Sequence, residues 1–154
     1  MSAPRLPYFD YEGQHAYSIT IDCYKNQKIF TKESVVSKCL GYLKDVMNEY
    51  HLSVYVYCFM PSHMHLLLVG KSDIADMRKA MKIFKQKTGY YFKQEYQKNL
   101  WQSSYYDHVL RKNEDIEKVV QYILNNPVRS GLVKKFWEYK FSGSFVFDIK
   151  DIIE

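Results

Sequence analysis

Residues 57–70 read "YCFMPSHMHLLLVG", and the break in the middle of this stretch decides the fold. Pro61 has no backbone N–H to give to a β-ladder, so a strand that approaches it must end near Met60. The residues on either side, 53–59 and 63–69, are rich in Val, Tyr and Leu, as strands are. The stretch therefore predicts two consecutive strands joined by a short turn.

Alternation along the second of these strands separates histidines from apolar residues. Because successive side chains of a strand point to opposite faces, His63 and His65 lie on one face and Met64, Leu66 and Leu68 on the other. The apolar row is expected to pack against helices. Two imidazoles on the opposite face can converge on one ion, so the motif predicts a two-histidine metal site.

Hydrophobic spacing elsewhere predicts three helices and two more strands. In chain order we expect first a strand over 15–24 and a helix that is capped by Thr31 and ends near Tyr50. After the two strands already described we expect a helix that begins at Asp73 and is interrupted or ended by Gly89. A strand over 105–112 follows, and then a helix capped by Asn113 and ended by Pro127. Residues 128–144 are expected to be irregular and basic. This order is that of a ferredoxin-like split βαβ fold. We therefore predict an α+β chain with an antiparallel sheet and an additional C-terminal helix.

The composition limits the class of protein. The chain has 154 residues, enough for one domain over 1–154, and 17% of them are aromatic, with fifteen tyrosines. A net charge of +5 suits a polyanionic partner without requiring one. Cys23, Cys39 and Cys58 are too far apart for a zinc ribbon and odd in number for a disulfide framework, so we expect a reducing, cytoplasmic setting. No apolar run is as long as a membrane span, so no membrane partner is expected.

A second group of polar residues occurs in the last predicted helix, within the stretch "QYILNNPVRSGLV" at 121–133. Tyr122 and Asn126 are four residues apart, which places them on one side of a helix at the border of its apolar stripe. Asparagine offers a neutral oxygen to a hard metal ion, and tyrosine offers a phenol that can act as a nucleophile. The same residues also fit a simpler interpretation, in which Tyr122 packs with its hydroxyl in water and Asn126 ends the helix before Pro127.

With these motifs the chain resembles the single-tyrosine transposases of the HUH nuclease class, and among them the REP-associated tyrosine transposases. The stretch "YCFMPSHMHLLLVG" resembles their hydrophobic strand, Met-Pro turn and His-hydrophobe-His motif, and "YILNNPVRSGLV" resembles their Tyr-Ile-x-x-Asn-Pro helix end. The segments "RLPYFDYEGQHAYSITI" and "LWQSSYYDHVLRK" are similar to the family's opening strand and to the strand before its tyrosine helix. The resemblance thus covers nearly the whole chain.

The resemblance implies a metal-dependent endonuclease and strand-transfer enzyme that acts on single-stranded or hairpin DNA through a 5′-phosphotyrosine intermediate. His63 and His65 match the family's metal ligands and Tyr122 its nucleophile. Asn126 matches the polar residue that completes the metal site, where insertion-sequence relatives use glutamine. The implied cofactor is Mg²⁺ or Mn²⁺, and the implied state is a monomer or a homodimer, with the tyrosine acting in cis or in trans. His108 is a further residue near the site, with a hydrogen-bonded structural histidine as its simpler interpretation.

Basic and aromatic residues provide candidate contacts to DNA, since cations neutralise phosphates and aromatic rings stack on exposed bases. The candidates for contact with the backbone are Arg78, Lys79, Lys82, Arg111, Arg129, Lys134 and Lys135. The candidates for stacking are Trp101, Tyr105 and Tyr106. Each of them also fits an ordinary surface or packing position.

Two other classes of protein stay open. One is a nucleic-acid-binding module without catalysis, in which the sheet only stacks bases. The presence of all four site residues argues against it. The other is a zinc-stabilised structural protein, but two histidines and an amide lack the four ligands, thiolates among them, of a closed zinc site.

Overall fold

The computed structural model describes residues 14–111, 114 and 116–152. Within these residues the strands are β1 (Ala16–Asp22), β2 (Leu52–Met60), β3 (His63–Gly70), β4 (Tyr106–Val109) and β5 (Ser142–Gly143). The α-helices are α1 (Glu33–Glu49), α2 (Met77–Tyr96), α3 (Ile116–Leu124) and α4 (Asn126–Arg129). Short 3₁₀ turns lie at Tyr24–Asn26, Phe136–Glu138 and Ile149–Ile152.

The strands form one sheet in the order β4-β1-β3-β2-β5, and each neighbouring pair is antiparallel. The first four strands have the arrangement of a split βαβ fold, so the predicted α+β architecture is confirmed. β5 lies in a segment that the sequence predicts to be irregular. It pairs Tyr57 of β2 with Gly143, where an added Cβ would stand 2.6 Å from the Tyr57 hydroxyl. Only a glycine lets this short edge strand approach β2 so closely.

The two faces of the sheet are covered differently. On one, which we call the core face, Met64, Leu66 and Leu68 are fully buried against α1 and α2, as the alternation predicts. On the other, the histidine face, Cys58 and Leu67 form a second buried cluster with residues of α3. The histidines of β3 therefore lie on the side of the sheet that carries the Tyr122 helix.

One predicted helix cap and one predicted helix start are wrong. α1 begins at Glu33, as the sequence predicts, but its N-cap is Lys32 instead of Thr31, and no side-chain hydrogen bond caps it. α2 does not begin at Asp73; its cap is Asp76, whose side chain accepts a hydrogen bond from the Lys79 backbone N–H. Two aspartates three residues apart each fit the cap pattern, and only tertiary packing selects between them.

Gly89 and Pro127 do not end helices as expected. α2 runs through Gly89 to its end at Tyr96, since one glycine costs a helix only about 1 kcal/mol. α3 ends at Leu124, and Pro127 lies in the first turn of α4, where its missing N–H is not needed. Asn125, between the two helices, has backbone angles in the right-handed helical region, with φ −84° and ψ −1°.

Two predictions fall outside the described residues: the cap at Asn113, and the part of the opening segment that precedes Gln14. Within the described ranges, no helix combines the length and apolarity needed to cross a bilayer.

Candidate metal and tyrosine site

The central strand of the sheet positions both histidines. In the register of β3 with its neighbours, His63 stands opposite Asp22 of β1, and His65 stands opposite Thr20 of β1 and Cys58 of β2. The two imidazole rings are 4.8 Å apart between centroids and nearly perpendicular, at 86°. Adjacent rings on one face of a central strand are held from both sides, so the pair is a rigid unit.

Burial keeps both imidazoles neutral. Burial, together with the smaller effects of the neighbouring His63 and the Arg129 guanidinium, lowers the pKa of His65 to about 4. Burial also lowers the pKa of His63, although the nearby Asp22 carboxylate opposes the change. A metal binds the lone pair of a neutral imidazole, so at neutral pH both rings are in the form that coordinates.

A hydrogen bond fixes the orientation of one ring. His65 Nδ1 lies 2.9 Å from Thr20 Oγ1, and this contact leaves Nε2 to point elsewhere. When Nδ1 carries the proton and donates it to Thr20, the Nε2 lone pair is available to an ion, which is how most metal-binding histidines are held. The contact of His63 Nδ1 with Ser62 Oγ is longer, at 3.4 Å.

The candidate tyrosine is on the same side of the sheet. α3 packs through Val120, Ile123 and Leu124 on the histidine face, while the side chain of Tyr122 is 65% exposed. The Arg129 guanidinium carbon lies 3.8 Å from the centre of the Tyr122 ring. This is a cation–π contact across the junction of α3 and α4.

Arg129 links the two halves of the candidate site. Its guanidinium covers the Tyr122 ring, and its charge contributes to the low pKa of His65 and opposes the raised pKa of Cys58. An electrostatic effect of this kind acts over several ångströms, so the Arg129 guanidinium, which contacts the Tyr122 ring, is also within electrostatic range of the His65 imidazole. From the sequence, Arg129 is predicted only as a contact to the DNA backbone.

Asn126 is the first residue of α4 and is half-buried. The Asn125 N–H donates to the Gln121 carbonyl, and the Asn125 carbonyl accepts from the Arg129 N–H, so Asn125 is the residue at which the two helices meet. Tyr122 and Asn126 lie in successive helices, α3 and α4, four residues apart in sequence.

The donors present suit an open ion site better than a closed one. Among residues 14–111, 114 and 116–152, no group of three or more His, Cys, Asp or Glu side chains could hold a metal. Two neutral imidazoles and an amide oxygen leave several coordination positions for water or phosphate oxygens, as hard divalent ions in catalytic sites require. The residues thus fit Mg²⁺ or Mn²⁺ with an open site and argue against a structural zinc.

Two of the three stacking candidates are almost fully buried. Trp101 and Tyr105 are each 9% exposed and pack in the core, and the Trp101 indole N–H donates to Thr88 Oγ1 at 2.8 Å. Rings buried in this way have little free surface, so the prediction that they stack on bases is not supported. Tyr106 is exposed and stands opposite Thr20 in the register of β1 with β4, which places it on the histidine face.

His108 has its own partner. Its Nε2 lies 3.0 Å from the Glu114 carboxylate, which also accepts a hydrogen bond from the Arg111 backbone N–H. It stands opposite Ser18, on the histidine face but at the outer strand of the sheet. An exposed histidine with a hydrogen-bond contact to Glu114 fits its simpler, structural interpretation.

The basic candidates divide between two surfaces. Arg78, Lys79 and Lys82 lie on α2, which covers the core face, so the sheet separates them from the histidines. The remaining candidates lie close to or beyond the tyrosine helix in sequence, and all are exposed: Arg111, Arg129, Lys134 and Lys135.

Thr20 and Asp22 are the site residues that sequence reasoning missed. They are polar at every second position of β1, within "SITID" at 18–22, and this alternation marks a half-polar strand. Their contact with the histidines depends on the β1–β3 register, which one sequence does not reveal.

Residues 13–126 match the sequence model of the IS200-like transposases. A REP-associated tyrosine transposase of Escherichia coli K12 is 32% identical over 87 residues, covering 54% of this chain and 48% of that protein, so the match spans about half of the relative's length. A Haemophilus influenzae protein inferred to be a REP-associated tyrosine transposase is 28% identical over 134 residues, covering 71% of this chain and 74% of that protein.

The fold is also similar to that of a solved transposase structure. The solved structure of a REP-associated tyrosine transposase bound to a REP hairpin has a TM-score of 0.74 to this chain, at 22% identity, covering 92% of this chain and 82% of that one. Since the match to the sequence model spans well over half of the residues, the chain belongs to the IS200-like transposase family.

Proposed function

We propose that this chain is a metal-dependent single-strand DNA endonuclease and strand-transfer enzyme that acts through a 5′-phosphotyrosine intermediate. The observation that carries the proposal is the rigid pair of neutral imidazoles, 4.8 Å apart, on the face of the sheet that also bears Tyr122 and Arg129. Membership of the IS200-like transposase family supports it. Neither core packing nor a helix end requires this combination of residues.

In this proposal His63, His65 and Asn126 hold Mg²⁺ or Mn²⁺. A divalent ion bound there supplies Lewis acidity, which withdraws charge from a phosphate oxygen and orients the phosphorus. The histidines contribute neutral nitrogen donors at physiological pH because burial holds their pKa values low. Thr20 keeps the His65 ring in one orientation through its hydroxyl.

Tyr122 acts as the nucleophile. Its phenolic oxygen forms a bond to phosphorus, and the bond from phosphorus to the 3′ oxygen breaks. The phenol proton passes to the leaving oxygen or to water. The products are a 5′-phosphotyrosine ester and a free 3′-hydroxyl. The ester is itself a phosphodiester, so attack by a 3′-hydroxyl reverses the step and joins strands without ATP. The Arg129 guanidinium packs over the Tyr122 ring and helps to hold it in place through the cation–π contact.

Single-stranded or hairpin DNA is the proposed substrate, bound by a monomer or a homodimer. The related solved structure contains a REP hairpin, and this fold likeness supports the same class of ligand here. Exposed Tyr106 on the histidine face is a suitable platform for an unstacked base. Arg111, Lys134 and Lys135 remain proposed contacts to phosphates.

The test is a denaturing gel of protein incubated with labelled single-stranded hairpin DNA and Mn²⁺. Wild type is expected to give a covalent adduct, and Tyr122→Phe is expected to lower its rate of formation by about a thousandfold or more, as loss of a covalent nucleophile does. DNA binding should change little. The matched control is Tyr90→Phe, since Tyr90 is similarly exposed, at 70%, but lies on α2.

The alternative is a nucleic-acid-binding module on the same fold that has no catalytic activity. It predicts hairpin binding without an adduct in wild type at any Mn²⁺ or Mg²⁺ concentration. An adduct that persists in Tyr122→Phe would instead assign the nucleophile to another tyrosine.

A further inference from the structure

A large groove lies on the side of the molecule opposite the histidine face. It has a volume of about 1260 Å³ and runs between α2 and the loop of residues 99–105. α2 packs on the core face of the sheet, so the groove and the histidine pair are on opposite sides of the sheet. It is therefore distinct from the candidate metal and tyrosine site.

The groove is strongly basic. Its lining includes five cationic residues, Arg78, Lys79, Lys82, Lys85 and Lys93, all of them on α2. Asp76 is the one acidic residue among the described lining residues, and its side chain accepts a hydrogen bond from the Lys79 backbone N–H. Five cationic side chains on one helix beside a single carboxylate give the groove an excess of positive charge, which favours a polyanionic ligand.

The opposite wall is fixed in place. Lys85 Nζ donates to the backbone carbonyls of Gln102 and Ser103, at 3.1 and 2.9 Å, and so ties the loop to the helix. Lys93 Nζ reaches the Asn99 side chain across the groove at 3.5 Å. The polar side chains of this wall offer amide and hydroxyl groups to a ligand.

An exposed aromatic ring accompanies the charge. Tyr90 lines the groove and is 70% exposed. Cationic residues that follow a backbone, combined with an open ring on which a base can stack, are the features with which proteins bind single strands without reading their sequence. A duplex keeps its bases stacked inside and has no use for such a ring.

The groove also ends close to the candidate site. The Gln102 backbone N–H donates to the Asp22 carbonyl at 3.0 Å, and Asp22 stands opposite His63 in the β1–β3 register. Neighbouring strands are about 4.8 Å apart. A strand of DNA that leaves the groove at Gln102 has only the end of β1 to pass before it reaches the histidine pair.

We infer that this groove binds the phosphodiester backbone of a single-stranded DNA segment that continues to or from the cleavage site. From Arg78 to Lys93 the helix rises about 22 Å, which matches about six nucleotides at a rise of about 3.4 Å each. The inference rests on the proposed function, since it assigns part of the same substrate to a second surface.

The test compares Lys82→Gln/Lys93→Gln with wild type in fluorescence anisotropy, using a labelled hairpin with a single-stranded flank of about ten nucleotides. Each lost phosphate contact lowers the salt slope of binding by about 0.7 for single strands, so the slope is expected to fall by about 1.4 between about 50 and 200 mM salt. Tyr90→Ala is expected to weaken flank binding about fivefold or more through lost stacking.

The matched control is Lys44→Gln/Lys150→Gln, which removes the same charge from exposed positions outside the groove lining and is expected to keep the wild-type slope. A blunt hairpin without the flank should bind the groove variant and wild type equally. An unchanged slope in the groove variant, or an equal loss in the control pair, would overturn the inference. An equal loss on the blunt hairpin would assign the groove to duplex and overturn it as well.

Failure of the inference and failure of the proposed function give different results. The groove variant is expected to form the covalent adduct more slowly than wild type at low DNA concentration, and more DNA is expected to offset this loss. Tyr122→Phe is expected to keep the wild-type salt slope while losing the adduct. Absence of any adduct in wild type would contradict the proposed function and leave the salt slopes to decide on the groove.

Discussion

The two faces of β3 differ although one short run of residues forms both. Met64, Leu66 and Leu68 are fully buried beneath α1 and α2, which have 17 and 20 residues. His63 and His65 are only partly covered, because the helices on their side, α3 and α4, have 9 and 4 residues. Long helices close one face into a core, and short helices leave the other face accessible. The core face is therefore wholly buried, whereas the histidine face combines a smaller buried cluster with two histidines that are accessible for chemistry.

The largest effect expected on stability comes from the core face. Leu66→Ala should lower the free energy of unfolding by about 2–5 kcal/mol, because it removes buried methyl groups and leaves a cavity. Denaturant unfolding measures this, and the Mn²⁺ affinity of the folded protein should be unchanged. The exposed Leu132→Ala is the control and should change stability by about 0.5 kcal/mol or less. A loss below about 1 kcal/mol in Leu66→Ala would contradict the distinction between the faces.

The histidine face should make stability depend on pH. The pKa of His65 is about 4 in the folded chain and about 6.5 when unfolded. Between these values the unfolded chain binds more protons, so stability is complete above pH 6.5 and falls as the pH approaches 4. The shift corresponds to at most about 3 kcal/mol.

Unfolding should be measured at pH 7 and near pH 4, with a chelator present to remove metal ions. The free energy of unfolding should fall less between the two pH values in His65→Gln than in wild type. His51→Asn, at an exposed position with a positive φ that asparagine tolerates, is the control and should behave as wild type. Equal pH dependence in His65→Gln and wild type would show that the ring is not buried as described.

A smaller effect is expected from the residue that orients His65. Thr20→Val keeps the shape of the side chain and removes the hydroxyl that contacts Nδ1. If His65 is a ligand, Mn²⁺ affinity should fall by about 10–100-fold, as for other groups that support a ligand. Thr31→Val, at an exposed position, is the control. Unchanged affinity in Thr20→Val would mean that the hydrogen bond does not support a metal site.

The core face was predictable because its signal is local. Alternation across a strand assigned Met64, Leu66 and Leu68 to the buried side with no knowledge of what covers them. The boundaries of the helices were less predictable, since Asp73 and Asp76 both fit a cap and only packing chooses Asp76. β5 was missed because two residues give no periodicity, and its place depends on contact between Gly143 and Tyr57.

The histidine face was only partly predictable, because its contacts join distant segments. The spacing of His63 and His65 identified the pair, and the spacing of Tyr122 and Asn126 predicted one helix for both, where the structure has α3 followed by α4. Thr20 reaches His65 across 45 residues of sequence. The contact of Arg129 with the Tyr122 ring and its electrostatic effect on His65 likewise follow from the packing of α3 and α4 on the sheet. The burial of Trp101 follows from the packing of the core.

Mn²⁺ binding followed by electron paramagnetic resonance is the most direct test of the two-histidine ion site. Wild type and the control His51→Asn are expected to bind Mn²⁺ with the same affinity. His63→Ala/His65→Ala is expected to lose more than about a hundredfold in affinity, beyond what supporting residues contribute, and to lose metal-stimulated cleavage while it stays folded. If the double variant binds Mn²⁺ as tightly as wild type, the imidazoles do not hold the ion.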